Sequence, residues 1–145
     1  MKLATLLFSL LLFQQTPKDL PKDLQMPKND PNGIWQAETG TQYKLALNGA
    51  DLKVEIVEGS SPTFLKYEVN LKNQQEVNTY KGTGFFVAKL KNGKECRFET
   101  EWEIVVVQTD RIIGATSNIF PDPDTCAVKD RSIIAIDLTR KKEGR

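Results

Sequence analysis

Histidine is absent from all 145 residues of the sequence. Histidine is the usual base beside a serine or cysteine nucleophile, because its ordinary pKa lies near neutral pH. It is also a common ligand of zinc and other transition metals. Its absence excludes Ser-His and Cys-His catalysis and histidine metal sites, so we predict no enzymatic activity, no catalytic residue, no metal and no cofactor.

An excess of charge of one sign is also lacking. Lys and Arg number 20 and Asp and Glu number 19, which leaves a formal net charge of +1. A protein that neutralises many phosphates needs a surplus of basic side chains. The composition therefore predicts no nucleic-acid partner.

Long hydrophobic runs are missing except at the N-terminus. One apolar run extends from Leu3 to Phe13, after a single Lys2 and without an acidic residue. Its length suits the centre of a signal peptide and is too short to span a bilayer. We expect residues 1–16 to be a signal peptide, although no A-x-A cleavage pattern follows. The expected location is secreted or periplasmic, with no transmembrane span in the mature chain; a retained anchor is the alternative.

Proline is concentrated in residues 17–32, PKDLPKDLQMPKNDPN, which hold four of the seven prolines. Proline interrupts helices and sheets because it lacks the backbone N–H group. We predict an extended, solvated linker here, with a docking motif as the alternative. The predicted domain is then 33–140, followed by a basic tail at 141–145.

Apolar and polar residues alternate through most of the predicted domain. In ECRFETEWEI, residues 95–104, Cys96, Phe98 and Trp102 alternate with charged residues. A period of two is typical of antiparallel strands with one buried face and one solvated face. It places Glu99 and Glu101 in solvent. The pattern predicts eight strands, near 33–39, 41–48, 51–58, 64–73, 78–91, 94–108, 111–118 and 131–140.

The connections between these strands predict how they pair. Asn48-Gly49 and Asn92-Gly93 supply the turn chemistry of tight hairpins, and only residues 119–130 form a long connection. Asp122 and Asp124 in that connection are expected to form a turn rather than a calcium site. Short links without a crossover helix favour a meander. The predicted fold class is all-β, an eight-stranded antiparallel up-and-down barrel, because closure removes the unpaired edges.

The sequence has only two cysteines, Cys96 and Cys126. Links alternate between the two ends of an up-and-down barrel. Cys96 begins the sixth predicted strand and Cys126 lies in the link between the seventh and eighth, so both belong to the same rim. In an exported protein we expect these cysteines to form a disulfide.

Trp35 on the first strand and Arg140 at the end of the last belong to the opposite rim. We expect the guanidinium to cover the indole through a cation–π contact and to close the barrel. Gly-x-Trp opening the first strand, with a basic residue ending the last, resembles the lipocalin and wider calycin arrangement, and small secreted bacterial lipocalin-like proteins in particular. That resemblance implies a Trp–Arg pair at the closed end and a mouth that admits small apolar ligands.

The interior of an eight-stranded barrel is either filled by side chains or holds one small ligand. Among the inward rows, we expect Tyr67, Phe86 and Trp102 to contact a ligand. The first hypothesis is therefore binding of a small hydrophobic molecule, favoured by a cavity of about 300 Å³ or more at the disulfide rim. The alternative is a protein-binding, inhibitory or structural barrel, favoured by a filled interior and an apolar rim patch.

Overall fold

The computed structural model describes residues 27–142. The predicted signal peptide at 1–16, residues 17–26 of the predicted linker and residues 143–145 of the predicted tail lie outside that range. The described part contains eight strands and no helix: β1 Gly33–Ala37, β2 Gln42–Asn48, β3 Asp51–Ile56, β4 Phe64–Asn73, β5 Thr79–Lys89, β6 Glu95–Gln108, β7 Arg111–Pro121 and β8 Val128–Arg140.

Each strand pairs antiparallel with its neighbour in the chain, and β8 pairs with β1, so the sheet is a closed barrel in sequence order. The predicted fold class is confirmed. Strand ends differ from the prediction by up to three residues, and most where β7 continues to Pro121 and β8 begins at Val128, two residues that face each other in the ladder. The long connection therefore shrinks to residues 122–127.

The barrel interior is lined by the alternate residues that the sequence pattern predicts. One exception is Leu65, which has the same parity as the inward Tyr67 but is 45% exposed. The β4–β5 ladder shifts register between Phe64 and Lys66, so Phe64 packs against the core in its place. Eight aromatic and aliphatic residues at inward positions of the pattern are buried: Tyr43, Leu45, Tyr67, Val69, Tyr80, Phe86, Phe98 and Trp102.

Trp35 and Arg140 face each other in the β1–β8 ladder and close one end of the barrel. The guanidinium carbon lies 4.3 Å from the centre of the fully buried indole ring. Arg140 also donates hydrogen bonds to the backbone oxygens of Thr109 and Asn32. Gly33 has φ +129, and a Cβ there would lie 2.8 Å from the Arg140 Nη1 atom. The glycine of the Gly-x-Trp pattern is thus explained by the space that the guanidinium takes.

Residues 27–32, which we call the basal segment, pack under this closed end. Asn78, buried with φ 65, accepts a hydrogen bond from the Asn29 backbone N–H at 2.7 Å. Its Nδ2 atom donates to the Pro27 oxygen at 3.0 Å. The Trp35 indole N–H donates to the Pro31 oxygen at 2.8 Å. In residues 27–32 the structure therefore differs from the predicted solvated linker, because these backbone groups are bound by the barrel.

Arg140 stabilises the closed end through both its charge over the indole and its fixed hydrogen-bond geometry. We expect Arg140→Ala to lower the free energy of unfolding by about 1–3 kcal/mol, and Arg140→Lys to recover only part of that loss. Urea unfolding measures the effect. Arg111→Ala, which breaks an exposed ion pair with Asp137, is the control and should change stability by less than about 1 kcal/mol. Equal effects of the two alanine variants would contradict this role.

The Tyr80 hydroxyl is the one buried side-chain polar atom in residues 27–142 that has no hydrogen-bond partner. A buried hydroxyl without a partner opposes folding. We therefore expect Tyr80→Phe to leave stability unchanged or to raise it by up to about 1 kcal/mol, measured by urea unfolding. A clear loss of stability would instead mean that the hydroxyl has a partner in solution.

Candidate functional site

A cavity of about 510 Å³ occupies the end of the barrel opposite to Trp35. It extends from aromatic side chains in the middle of the barrel to the rim formed by the β1–β2, β3–β4, β5–β6 and β7–β8 links. Glu38 and Thr63 line it from two of those links, and Pro121 lines it beside a third. The cavity therefore opens at the rim that carries the disulfide.

Packed aromatic rings form the floor of this cavity. Tyr67 and Phe86 stack with ring centres 5.3 Å apart, and Tyr43 meets Trp102 edge-on at 5.3 Å. Phe64 packs edge-on against Tyr67 at 5.4 Å. Such tilted and offset contacts fix the rings in place. The floor is therefore a closely packed and largely apolar surface.

The structure places all three predicted ligand contacts, Tyr67, Phe86 and Trp102, in the cavity lining. Tyr43 lines it too and belongs to the inward rows read from the sequence. The alternation missed Phe64, because the local register shift breaks the period of two at that point. No pattern in the sequence marks such a shift.

Two tyrosine hydroxyls are the polar groups of the floor. The Trp102 indole N–H donates to the Tyr67 hydroxyl oxygen at 2.8 Å. The Tyr43 hydroxyl has no hydrogen-bond partner in the described part of the chain. Burial raises the pKa of the Tyr43 hydroxyl, and the neighbouring Tyr67 phenol raises it further. Tyr43 therefore keeps its proton across the physiological pH range.

The cavity walls carry few charged residues. Glu38 and Asp137 are the charged residues among those that line it. The Asp137 carboxylate is held on the outer surface by Arg111 at 3.0 Å, and this contact lowers the pKa of Asp137. No lysine or arginine of the described part of the chain lines the cavity.

One wall of the cavity is a hairpin that leaves the barrel sheet. The β6–β7 ladder ends at Trp102 and Thr116, and the β1–β8 ladder ends at Ala37 and Leu138. Between those points, residues 117–137 pair within the hairpin and with neither neighbouring strand. We call this stretch the hairpin arm.

The separation of the hairpin arm explains a difference from the sequence pattern. Ile134 continues the inward row of Ile136 and Leu138, yet it is exposed. Strand β1 ends at Ala37, so no neighbouring strand covers Ile134 on that side.

The disulfide between Cys96 and Cys126 ties the tip of the hairpin arm back to β6, with Cα atoms 5.6 Å apart. The predicted bridge is therefore confirmed. Two hydrogen bonds act beside it: Asn92 Nδ2 donates to the Pro123 oxygen at 2.8 Å, and Lys94 Nζ donates to the Asp124 oxygen. The arm therefore continues from the barrel sheet at its base and is bonded to the rim at its tip.

Asp122 organises the turn at the tip of the arm. Its carboxylate accepts hydrogen bonds from the backbone N–H groups of Asp124 and Thr125 at 2.8 and 3.1 Å. These bonds lower the pKa of the Asp122 carboxyl. This geometry is the turn that the sequence predicts. Within residues 27–142, no three acidic or cysteine side chains are grouped so as to hold a metal ion.

Comparison of the chain with family models, curated proteins and solved structures finds no match. The lipocalin-like assignment therefore stays a prediction that rests on Trp35, Arg140 and the barrel topology. In the part of the chain described, no helix is long and apolar enough to cross a membrane.

The disulfide closes a loop with a sequence separation of 30 residues. Replacing both cysteines by alanine should lower the free energy of unfolding by about 3–4 kcal/mol, because the unfolded chain gains freedom. Urea unfolding measures this loss. Hydrogen exchange should also become faster in the hairpin arm than in β2 or β3, because only the arm loses a fastening.

Thr125→Ala, in the same turn, is the control for the disulfide variant. It removes one hydrogen bond that the Thr125 hydroxyl oxygen accepts from the Ala127 backbone N–H at 3.3 Å, so its effect should stay below about 1 kcal/mol. Unchanged exchange in the arm of the double alanine variant would show that the disulfide does not fasten it.

Proposed function

We propose that the protein binds one small, largely apolar molecule in the cavity at the disulfide rim, and that it does so outside the cytoplasm. The observation that carries this proposal is the cavity of about 510 Å³ above an aromatic floor. Ligand pockets of proteins have volumes of about 300–1,000 Å³ and are lined mainly by apolar and aromatic side chains. The cavity lies within that range and has that chemistry.

The close packing of the floor indicates that the space above it is a ligand cavity and not a loosely packed part of the core. A packed interior normally leaves few voids larger than a water molecule. Here the lower half of the barrel is packed, with Leu52, Val54 and Ile104 fully buried, whereas the upper half surrounds the cavity. Binding a ligand would cover the small part of the aromatic floor that solvent still reaches, and the rings are already packed in place, which favours affinity.

The hairpin arm supplies a route into the cavity. Its two long edges are not paired with β6 or with β1, so it can move without breaking a barrel ladder. Local openings of this kind need much less energy than global unfolding. The disulfide limits the movement at the tip, and we infer that the ligand enters beside the arm.

The extracytoplasmic location rests on two independent features. Residues 1–16 have the charge and apolar run of a signal peptide. Disulfides persist in secreted and periplasmic proteins and are rare in the cytosol, and the structure contains the Cys96–Cys126 bridge.

A second candidate function is binding of a protein partner through the hairpin arm. Ile133 on its outer face is 82% exposed, and Phe120 and Ile134 are also exposed. Ile133 and Ile134 are neighbours in one strand and face opposite sides, so the arm offers exposed apolar side chains on both faces to a partner. The expected partner surface is apolar and would cover the arm, while the cavity would play no part.

Native mass spectrometry of protein purified from its own host separates the two functions. Retention of a small molecule, released when the protein is unfolded, is the result expected from the first proposal. The second function would be favoured if gentle conditions show only the mass of the protein without a small molecule. It would also require that a protein partner binds the wild type and no longer binds the Ile133→Lys variant.

A bulky side chain on the cavity wall should block binding. Ala88 on β5 lines the cavity, and we expect Ala88→Phe to weaken binding of the apolar dye Nile red at least about tenfold, or about 1.4 kcal/mol. Val87→Phe places the same ring on the opposite face of the strand and should leave affinity unchanged. Both are measured by dye fluorescence in folded protein. Equal affinities of the wild type and both variants would contradict binding in this cavity.

A further inference from the structure

We propose that the ligand is an uncharged apolar molecule with a carbonyl or comparable neutral acceptor oxygen, received by the hydroxyls of Tyr67 and Tyr43. This inference rests on the proposed function and specifies the chemical class of its ligand. The geometry points to an ester, ketone, aldehyde or amide and away from a free carboxylate.

The first observation is the direction of the hydrogen bond between Trp102 and Tyr67. An indole N–H is only a donor, so the Tyr67 hydroxyl oxygen must accept it at 2.8 Å. The hydroxyl proton then has to point elsewhere, and no acceptor within residues 27–142 receives it. Tyr67 is therefore a hydrogen-bond donor held in place by Trp102.

The second observation is the state of Tyr43. Its ring centre lies 5.5 Å from that of Tyr67, and it lines the same cavity. Its hydroxyl makes no hydrogen bond to the described residues, and unlike the Tyr80 hydroxyl it is not sealed inside the protein. Because burial raises its pKa, the hydroxyl stays protonated. The floor thus offers two hydroxyl donors to whatever lies above it.

The third observation is the lack of a cation. A carboxylate buried without a positive partner loses its hydration at a large energetic penalty. Among residues 27–142 no lysine or arginine lines the cavity, and Glu38 at its rim adds negative charge. A neutral acceptor takes the two hydrogen bonds without that penalty. The two hydroxyl donors and the lack of a cation among the described lining residues therefore disfavour an ionised fatty acid and favour its ester.

The test compares three probes that share one alkyl chain: dodecane, methyl laurate and lauric acid, each displacing Nile red from the full-length protein. At neutral pH we expect methyl laurate to bind about tenfold or more tightly than lauric acid. The difference should shrink as the pH falls towards the pKa of the acid, since the protonated acid is neutral. Dodecane should bind more weakly than the ester.

Tyrosine variants identify the donors. Tyr43→Phe removes no hydrogen bond within the described residues, and we expect it to weaken methyl laurate binding about three- to tenfold and to leave dodecane binding unchanged. Tyr67→Phe should have a similar selective effect, but it also leaves the Trp102 N–H without its partner, so its folding is checked by circular dichroism. Tyr80→Phe, outside the cavity lining, is the matched control and should change neither affinity.

The outcomes separate the two levels of the proposal. If Nile red and all three probes fail to bind, the proposed ligand-binding function itself is wrong. If the probes bind but lauric acid equals methyl laurate at neutral pH, or Tyr43→Phe lowers ester and alkane affinity equally, the cavity binds apolar molecules and the acceptor-specific inference is overturned.

Discussion

A mismatch in length between two neighbouring strands governs the structure. Strand β1 has five residues and β8 has thirteen, so only three residue pairs join them, from Trp35–Arg140 to Ala37–Leu138. The β1–β8 pairing therefore closes the sheet at one end of the barrel and stops before it reaches the other end. The closed end is packed and hydrogen-bonded, whereas the open end keeps a cavity and a hairpin arm outside the continuous ladders.

The two ends differ in how their polar groups are satisfied. At the closed end the indole N–H of Trp35 and the guanidinium of Arg140 donate to backbone oxygens of the basal segment. At the cavity floor the hydroxyls of Tyr67 and Tyr43 keep donor capacity that the described residues do not use. Buried polar groups are normally paired within the protein. The contrast makes the first end a structural plug and leaves unused hydrogen-bond donors at the second.

The sequence predicts most of this fold because strict alternation and turn residues are local signals. Cys96 and Trp102 point inward because their strand keeps a period of two over its whole length. The disulfide follows because topology alone brings both cysteines to one rim. The inward positions of Tyr67 and of the other floor residues follow from the same parity, whereas their contact with a ligand stays a prediction.

Three features escape local patterns because they depend on tertiary contacts. The register shift at Phe64 arises from how β4 meets β5, and the hairpin arm arises from the early end of β1. The basal segment binds through Asn78, whose place under the barrel is set by residues far away in the chain. The proline-rich composition of residues 17–32 indicates solvation and does not indicate that the basal segment is bound by Asn78.

The basal segment also determines the orientation of the molecule towards anything attached to it. The Pro27 oxygen is bound by Asn78, and the Lys141 backbone N–H donates to the Ile34 oxygen at 2.8 Å, so both ends of the described chain leave from the base. A surface held close to residue 27 or residue 142 would consequently lie at the base, with the cavity mouth at the opposite end of the barrel.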